Sequence, residues 1–161
     1  TDRFYADARV PSAQRATLAD YQGSGYDRGH MAAAANQYSA SGMAQSFALT
    51  NMVPQDPTNN RKVWAKLEAD VRKYAQRAAG DVFVFSGPLY QNAPHLLGAS
   101  QVWVPDHLFK LVYDASNQRA WAYVLPNSAD AQISRPMDYA HFVVQTRWHL
   151  LAGLPVTDSA R

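Results

Sequence analysis

Cysteine is absent from the 161 residues, which removes disulfides, thiol nucleophiles and cysteine-ligated zinc from consideration. It leaves the compartment open, because a chain able to bury a sizeable core needs no covalent staples. No apolar run approaches the roughly eighteen residues of a membrane span, and no charged-then-apolar leader stands at the start. The expectation is a soluble chain with no membrane partner, whose signal has been removed if it is exported. Charge of one sign is scarce as well. Fifteen Lys and Arg against 13 Asp and Glu give a net +2, so the molecule as a whole is no polybasic nucleic-acid binder. What is present is 47% hydrophobic residues, enough for the core of one domain.

The small net charge is unevenly spread. From Arg61 to Arg77 six Lys or Arg residues face only Glu68 and Asp70, a local excess that could meet phosphates or simply be a solvated helix face. Residues 1–25 carry turn-formers at Asp7, Pro11, Asp20, Gly23, Ser24 and Gly25 and read as an extended or looping lead-in. The four alanines between Met31 and Asn36 suggest close packing or a short helix. Phe47 to Thr50 reads as a short buried strand, and Pro54 to Asn59 as loop. Val63, Trp64, Leu67, Val71, Tyr74, Ala75 and Ala78 recur at helical spacing until Gly80, one long amphipathic helix. At about 100° per residue, Glu68 lies roughly two turns beyond Asn60 on a neighbouring sector, so both can look toward one pocket. Asp81 to Pro88 has the continuous hydrophobicity of a central strand buried on both faces. Leu108–Tyr113 and Ala120–Leu125 form a hairpin about a turn-rich 114–118, Phe142–Val144 is a candidate strand, and Thr146 a candidate cap for a last short helix. The sum is one α+β domain with a mostly antiparallel sheet and one long helix.

Chemistry starts with His30, because only histidine has an ordinary pKa near operating pH and can take a proton from water without help. Arg28 stands two residues before it, and Gly29 between them would let a ligand approach the backbone. His95, His107, His141 and His149 have no such company. The histidine spacing offers no zinc signature. Hard oxygens from Asn60 and Glu68 would suit Mg²⁺, which keeps several waters and takes one or two protein oxygens. Asn60 could equally be a helix N-cap, and Glu68 a surface i,i+4 partner of Arg72.

The string Tyr26-Asp27-Arg28-Gly29-His30-Met31, then Thr50-Asn51-Met52-Val53-Pro54-Gln55, then Asn60, Trp64 and Glu68, closely resembles the DNA/RNA non-specific endonucleases of the ββα-metal superfamily, the endonuclease G-like enzymes with the Asp-Arg-Gly-His motif. The resemblance continues through Phe85-Ser86-Gly87-Pro88, Val104-Pro105, Phe109-Lys110 and Leu125-Pro126-Asn127 to Ala152-Gly153-Leu154. It implies a ββα-metal active-site motif within the α+β domain, and a Mg²⁺-dependent endonuclease, with Mn²⁺ as the alternative ion, that cuts DNA and RNA to 5′-phosphate ends. His30 would be the general base and Asn60 the direct metal ligand. Glu68 would act through metal-bound water, and Asn51 would fix the histidine or the phosphate. Arg28 would lie by the metal, and Arg72 would contact phosphate or the leaving group. Asn59 is a neighbouring alternative to Asn60, and the eight-residue interval to Glu68 favours Asn60.

The domain is expected over 1–161 without the family's first N-terminal strands. An arginine that relatives carry ahead of Phe4-Tyr5-Ala6-Asp7 has Arg3 as its counterpart or none. Arg147-Trp148-His149 stands where relatives more often show acidic residues, away from the expected site. Rival readings are a nucleic-acid-binding module without turnover, and a toxin domain delivered into a target cell and restrained at home by an inhibitor or immunity protein. A secreted or periplasmic scavenger is a further version.

Overall fold

The longest helix in the computed structural model, which describes residues 3–157 of the domain expected over 1–161, is the stretch with the clearest apolar stripe. In chain order the elements are α1 (Leu18–Tyr21), β1 (Asp27–His30), α2 (Ala40–Ser46), β2 (Met52–Gln55), α3 (Pro57–Arg61), α4 (Val63–Arg77), β3 (Val82–Leu89), β4 (His95–Leu97), β5 (Val102–Val104), β6 (His107–Asp114), β7 (Arg119–Pro126) and α5 (Tyr139–Thr146). Single 3₁₀ turns stand at Ser12–Gln14, Ala34–Asn36 and Leu49–Asn51. All strand pairs are antiparallel: β1 with β2, β4 with β5, and a three-stranded sheet of order β3-β6-β7.

That sheet is covered on both faces. Trp64, Leu67 and Val71 of α4 pack on Leu108, Val112 and Leu125, the residues that point to one side of β6 and β7. Phe109, Leu111, Tyr113, Ala120 and Ala122 point to the other side and meet Phe142 of α5 and Leu151. Burying each large apolar side chain contributes about 1.5–3 kcal/mol, so these layers anchor everything between them. Ahead of the sheet, β1, β2 and α3 form a ββα unit. Asn127, just past β7, secures it to the sheet: its Nδ2 donates to the Pro54 and Pro105 carbonyls, and its Oδ1 accepts from the Asp56 N–H.

Several local expectations are corrected. The strand expected at 47–50 is a single bridge, Ala48 to Tyr5, followed by a 3₁₀ turn; its apolar residues are buried by packing under the N-terminal segment rather than by a ladder. The extended pairing starts at Met52 and takes in Pro54, which a two-stranded ribbon tolerates because one side of each strand needs no donor. Asn60 does not share the long helix with Glu68. Asp56 caps α3 by accepting from the Asn59 N–H, Pro57 fills the first helical position, and a non-helical Lys62 (φ −118°, ψ −85°) separates α3 from α4.

β3 lies at the sheet edge with Phe83 half exposed, and β6 is the central strand. Residues 142–144 lie inside α5, which Asp138 caps by accepting from the His141 N–H at 2.8 Å. Thr146 ends that helix instead of starting another, its Oγ1 donating to the Phe142 carbonyl at 2.7 Å. The alternating pattern of β4 and β5 is too short to stand out in the sequence, and α2 is polar enough to pass for loop.

Candidate active site

Side chains alternate along β1, so Asp27 and Gly29 share one face and Arg28 and His30 the other. Gly29 is tied to packing, not to ligand approach as its sequence context suggested: a Cβ there would sit 2.7 Å from the Cβ of Gln55. Gln55 is fully buried and donates from Nε2 to Asn59 Oδ1 at 2.8 Å. Asn59 in turn donates to the carbonyls of Pro126 and Ser128. Of the two adjacent asparagines, Asn59 is therefore committed to the core, and Asn60 stands on the wall of a cleft.

Asn60 Nδ2 donates to Asp27 Oδ2 at 2.8 Å. Arg61 binds the same carboxylate with two hydrogen bonds, Nε to Oδ2 at 2.9 Å and a terminal nitrogen to Oδ1 at 2.7 Å. The three residues and Arg28 line a cleft of about 810 Å³, with Phe4 and Tyr26 among its apolar walls.

On the other face of β1, His30 is held by aromatic rings. Phe47 meets it edge-on with centroids 4.7 Å apart, and Phe4 lies 5.8 Å away at a tilt. The same Phe4 ring carries the Arg28 guanidinium over its face, 4.1 Å from the centroid. Phe4 reaches this place because the segment around Tyr5 pairs with residues 47–49, Tyr5 N–H to the Phe47 carbonyl and Leu49 N–H to the Tyr5 carbonyl. Asp7 pins the segment by accepting from Thr50 Oγ1 at 2.8 Å. The Arg9 side chain beside it, followed by Thr50, holds the Asp7 carboxyl well below the usual carboxylate range.

Asn51 spends its amide on backbone: it binds Ala32 through both ends and also donates to the Ser46 carbonyl at 2.9 Å. It thus staples the chain just after His30 to the end of α2. Glu68 is half-buried on α4, and burial raises its pKa while the charges of Lys110 and Arg72 oppose the rise. Arg72 donates to Asn36 Oδ1 at 2.9 Å; among the described residues it forms no ion pair with Glu68.

Lys110 enters the sequence reading only within the Phe109-Lys110 stretch of the resemblance, with no role of its own. It is 2% exposed in the middle of the α4-facing core, donates to Ser86 Oγ at 2.6 Å from the register position opposite, and lies 4.6 Å over the Trp64 ring. Burial lowers its pKa to about 8, against the pull of Glu68. Its signal was visible as one charge inside the otherwise apolar run 108–113. Phe47 and Asn36 gave no comparable signal.

A second cleft, of about 550 Å³, includes Asn36, Asn51, Ser86, Lys110 and Trp148 in its lining. Along the chain His30 stands between the β1 residues that line the first cleft and the 31–37 segment that lines the second. Arg28 and Asn60 are brought to one cleft, Asn51 to the other, and Glu68 and Arg72 lie one helical turn apart on α4. His107 stands beside Asp106, and His141 caps against Asp138; neither joins this region.

Comparison with known proteins matches residues 1–148 to the family described as DNA/RNA non-specific endonuclease. Mitochondrial nuclease EXOG of Xenopus laevis is 39% identical over 142 residues, covering 78% of this chain and 39% of that protein. Mitochondrial endonuclease G of Bos taurus is 37% identical over 155 residues, covering 88% and 50%. Nuclease C1 of Cunninghamella echinulata var. echinulata is 40% identical over 141 residues, covering 79% and 56%. The chain thus spans from two-fifths to a little over half of the length of these relatives. Among solved structures, a chain of the crystal structure of the EndoG/EndoGI complex superposes with a TM-score of 0.78 at 33% identity, covering 90% of this chain and 66% of that one.

Proposed function

This chain belongs to the DNA/RNA non-specific endonuclease family, and from that premise we propose that it hydrolyses phosphodiester bonds of DNA and RNA in a Mg²⁺-dependent reaction that leaves 5′-phosphate ends. The observation that carries the reading is the ββα unit itself: β1 sets Arg28 and His30 on one face, and α3 holds Asn60 against Asp27 of the same strand.

The donor set suits a hard divalent ion. Asn60 has its amide NH₂ engaged, which leaves a carbonyl oxygen on a residue of the cleft wall, and Glu68 adds a half-buried carboxylate. Among the described residues no three His, Asp or Glu side chains gather as a cage, so the fit is to an ion that keeps most of its waters. Asn60 would hold Mg²⁺, or Mn²⁺ in its place, directly and Glu68 through water; the ion would supply charge stabilisation at the phosphate and the leaving oxygen.

His30 takes a proton from the attacking water, with its ring orientation set by Phe4 and Phe47. The water oxygen bonds to phosphorus and the P–O3′ bond breaks; the upstream strand departs through O3′, which takes up a proton from solvent to become a 3′-hydroxyl, and the phosphate stays on the 5′ oxygen of the downstream strand. Arg28 offers a guanidinium fork to the phosphate oxygens, and Arg72, steadied by Asn36, offers a second. Asn51 contributes by fixing the backbone beyond His30. No group in this set reads a base edge, and water rather than a 2′-hydroxyl is the nucleophile, so both nucleic acids serve.

A nuclease of this kind endangers its own cell. In the solved complex EndoG is held by an inhibitor, and the same logic extends here to an inhibitor or immunity partner. It also extends to action outside the producing compartment, whether secreted, periplasmic or delivered as a toxin. Supercoiled plasmid and RNA incubated with the chain in Mg²⁺ and in EDTA test the proposal. Magnesium-dependent loss of both substrates with 5′-phosphate termini is the expected result. Intact substrate that nevertheless shifts on a gel would replace the enzyme with a binding module.

A further inference from the structure

Asp27 is the first residue of the Asp-Arg-Gly-His string, and neither proton transfer nor phosphate binding uses it. Its carboxylate accepts three hydrogen bonds, from Asn60 Nδ2 at 2.8 Å and from two nitrogens of Arg61 at 2.9 and 2.7 Å. A carboxylate only accepts, and a primary amide has one donating end and one accepting end. Asp27 therefore dictates which way round the Asn60 amide stands: NH₂ toward the carboxylate, carbonyl oxygen away from it. Arg61 in turn occupies both carboxylate oxygens in a planar fork, which prevents Asp27 from swinging off the amide. The arrangement links the start of β1 to the last turn of α3, across 33 positions of chain.

We propose that Asp27, clamped by Arg61, is the positioning residue that turns the carbonyl oxygen of Asn60 outward as a ligand for a divalent cation. The inference rests on the metal-site reading of Asn60 given above. Without the clamp the amide can rotate by half a turn at little cost and present NH₂, which repels a cation. The metal oxygen would then be correctly placed for only part of the time, and affinity would fall without any change in the ligand itself. Arg61 takes part although it is exposed, with 70% of its side-chain surface open to solvent; its contribution is to hold an acceptor in place, not to bind substrate.

The test is the binding of Mn²⁺ to the whole chain, followed by the electron paramagnetic resonance signal of the free ion, with no nucleic acid present. Asn60→Ala should abolish specific binding. Asp27→Ala should weaken it about ten- to hundredfold, the range for groups that orient a metal ligand. Arg61→Ala, a surface substitution that leaves the fold intact, should weaken it several-fold.

Asp27→Asn is the discriminating variant. Its single carbonyl oxygen can stand where Oδ2 stood and still accept from both Asn60 and Arg61 Nε, while its NH₂ meets the Arg61 terminal nitrogen donor to donor and gives up that one bond, so its affinity should fall no further than that of Arg61→Ala despite the lost charge. If Asp27→Asn binds as poorly as Asp27→Ala, the carboxylate acts through its charge and the positioning role is overturned. If Asp27→Ala binds Mn²⁺ normally while Asn60→Ala does not, the metal site stands and the clamp falls. If Asn60→Ala binds normally, the metal site falls and the inference with it.

Discussion

The side-chain amide of Asn51 binds the backbone of Ala32 in both directions, its Oδ1 accepting from the Ala32 N–H at 2.9 Å and its Nδ2 donating to the Ala32 carbonyl at 3.0 Å. A third bond, Nδ2 to the Ser46 carbonyl, joins the end of α2 to the same point. The chain leaving His30 is thus held by one side chain from the 3₁₀ turn before β2.

Asn51→Asp keeps the size and shape but sets a carboxylate oxygen against two carbonyl oxygens. It should destabilise the protein by about 1–3 kcal/mol, the cost of unsatisfied polar groups, and by more than Asn51→Ala, which leaves room for water. Thermal denaturation of the two variants checks the order.

Gly29→Ala is expected to cost about 1–3 kcal/mol as an overpacking change. The added methyl would meet the Gln55 Cβ at 2.7 Å, and Gln55 cannot retreat without breaking its bond to Asn59. Denaturant titration measures the loss. A mutant as stable as the native chain would show that Gln55 has another place to go.

Lys110 makes stability depend on pH. Its folded pKa of about 8 lies below the ordinary 10.5, so between those values the unfolded chain holds a proton that the folded chain has shed. Stability attributable to this group rises across that window, and below pH 8 the full penalty of the buried charge is present. The difference of about 2.5 pH units, at about 1.4 kcal/mol each, amounts to roughly 3–4 kcal/mol. Lys110→Met removes the titration. The pH-dependent part of its stability advantage should be largest below pH 8 and shrink by roughly that amount toward pH 10.5. Urea unfolding of both proteins at pH 7 and pH 10 reads the difference directly.

The parts of the fold legible in the sequence were those with a long period or a long run. The α4 stripe and the β6–β7 hairpin are both large enough to bury their apolar faces against each other, so local pattern and tertiary packing agree. Residues 142–144 misled because three apolar residues fit a strand as well as one turn of helix, and the capping carboxylate of Asp138 that decides between them lies outside the run. Asn60 and Glu68 read as one helix because the Lys62 break leaves no proline or glycine to mark it. At the candidate site, the motif residues Arg28 and His30 stood out by chemistry alone. Phe4, Phe47 and Asn36, which hold them or Arg72, did not, because their partners are 24 or more positions away from Phe4, 17 from Phe47 and 36 from Asn36. Asp27 carries no signal of its own beyond the motif it opens, since its role depends on Asn60 and Arg61 across the ββα unit.

The proposed hydrolysis turns on removal of a proton from the attacking water by His30. The direct measurement is kcat for plasmid DNA and for RNA at saturating Mg²⁺, native chain against His30→Ala, with Mn²⁺ binding measured on both proteins. Loss of a general base predicts a fall of about 10²–10⁴ in kcat on both substrates, with Mn²⁺ affinity unchanged. A His30→Ala protein that turns over DNA and RNA at the native rate would contradict the account.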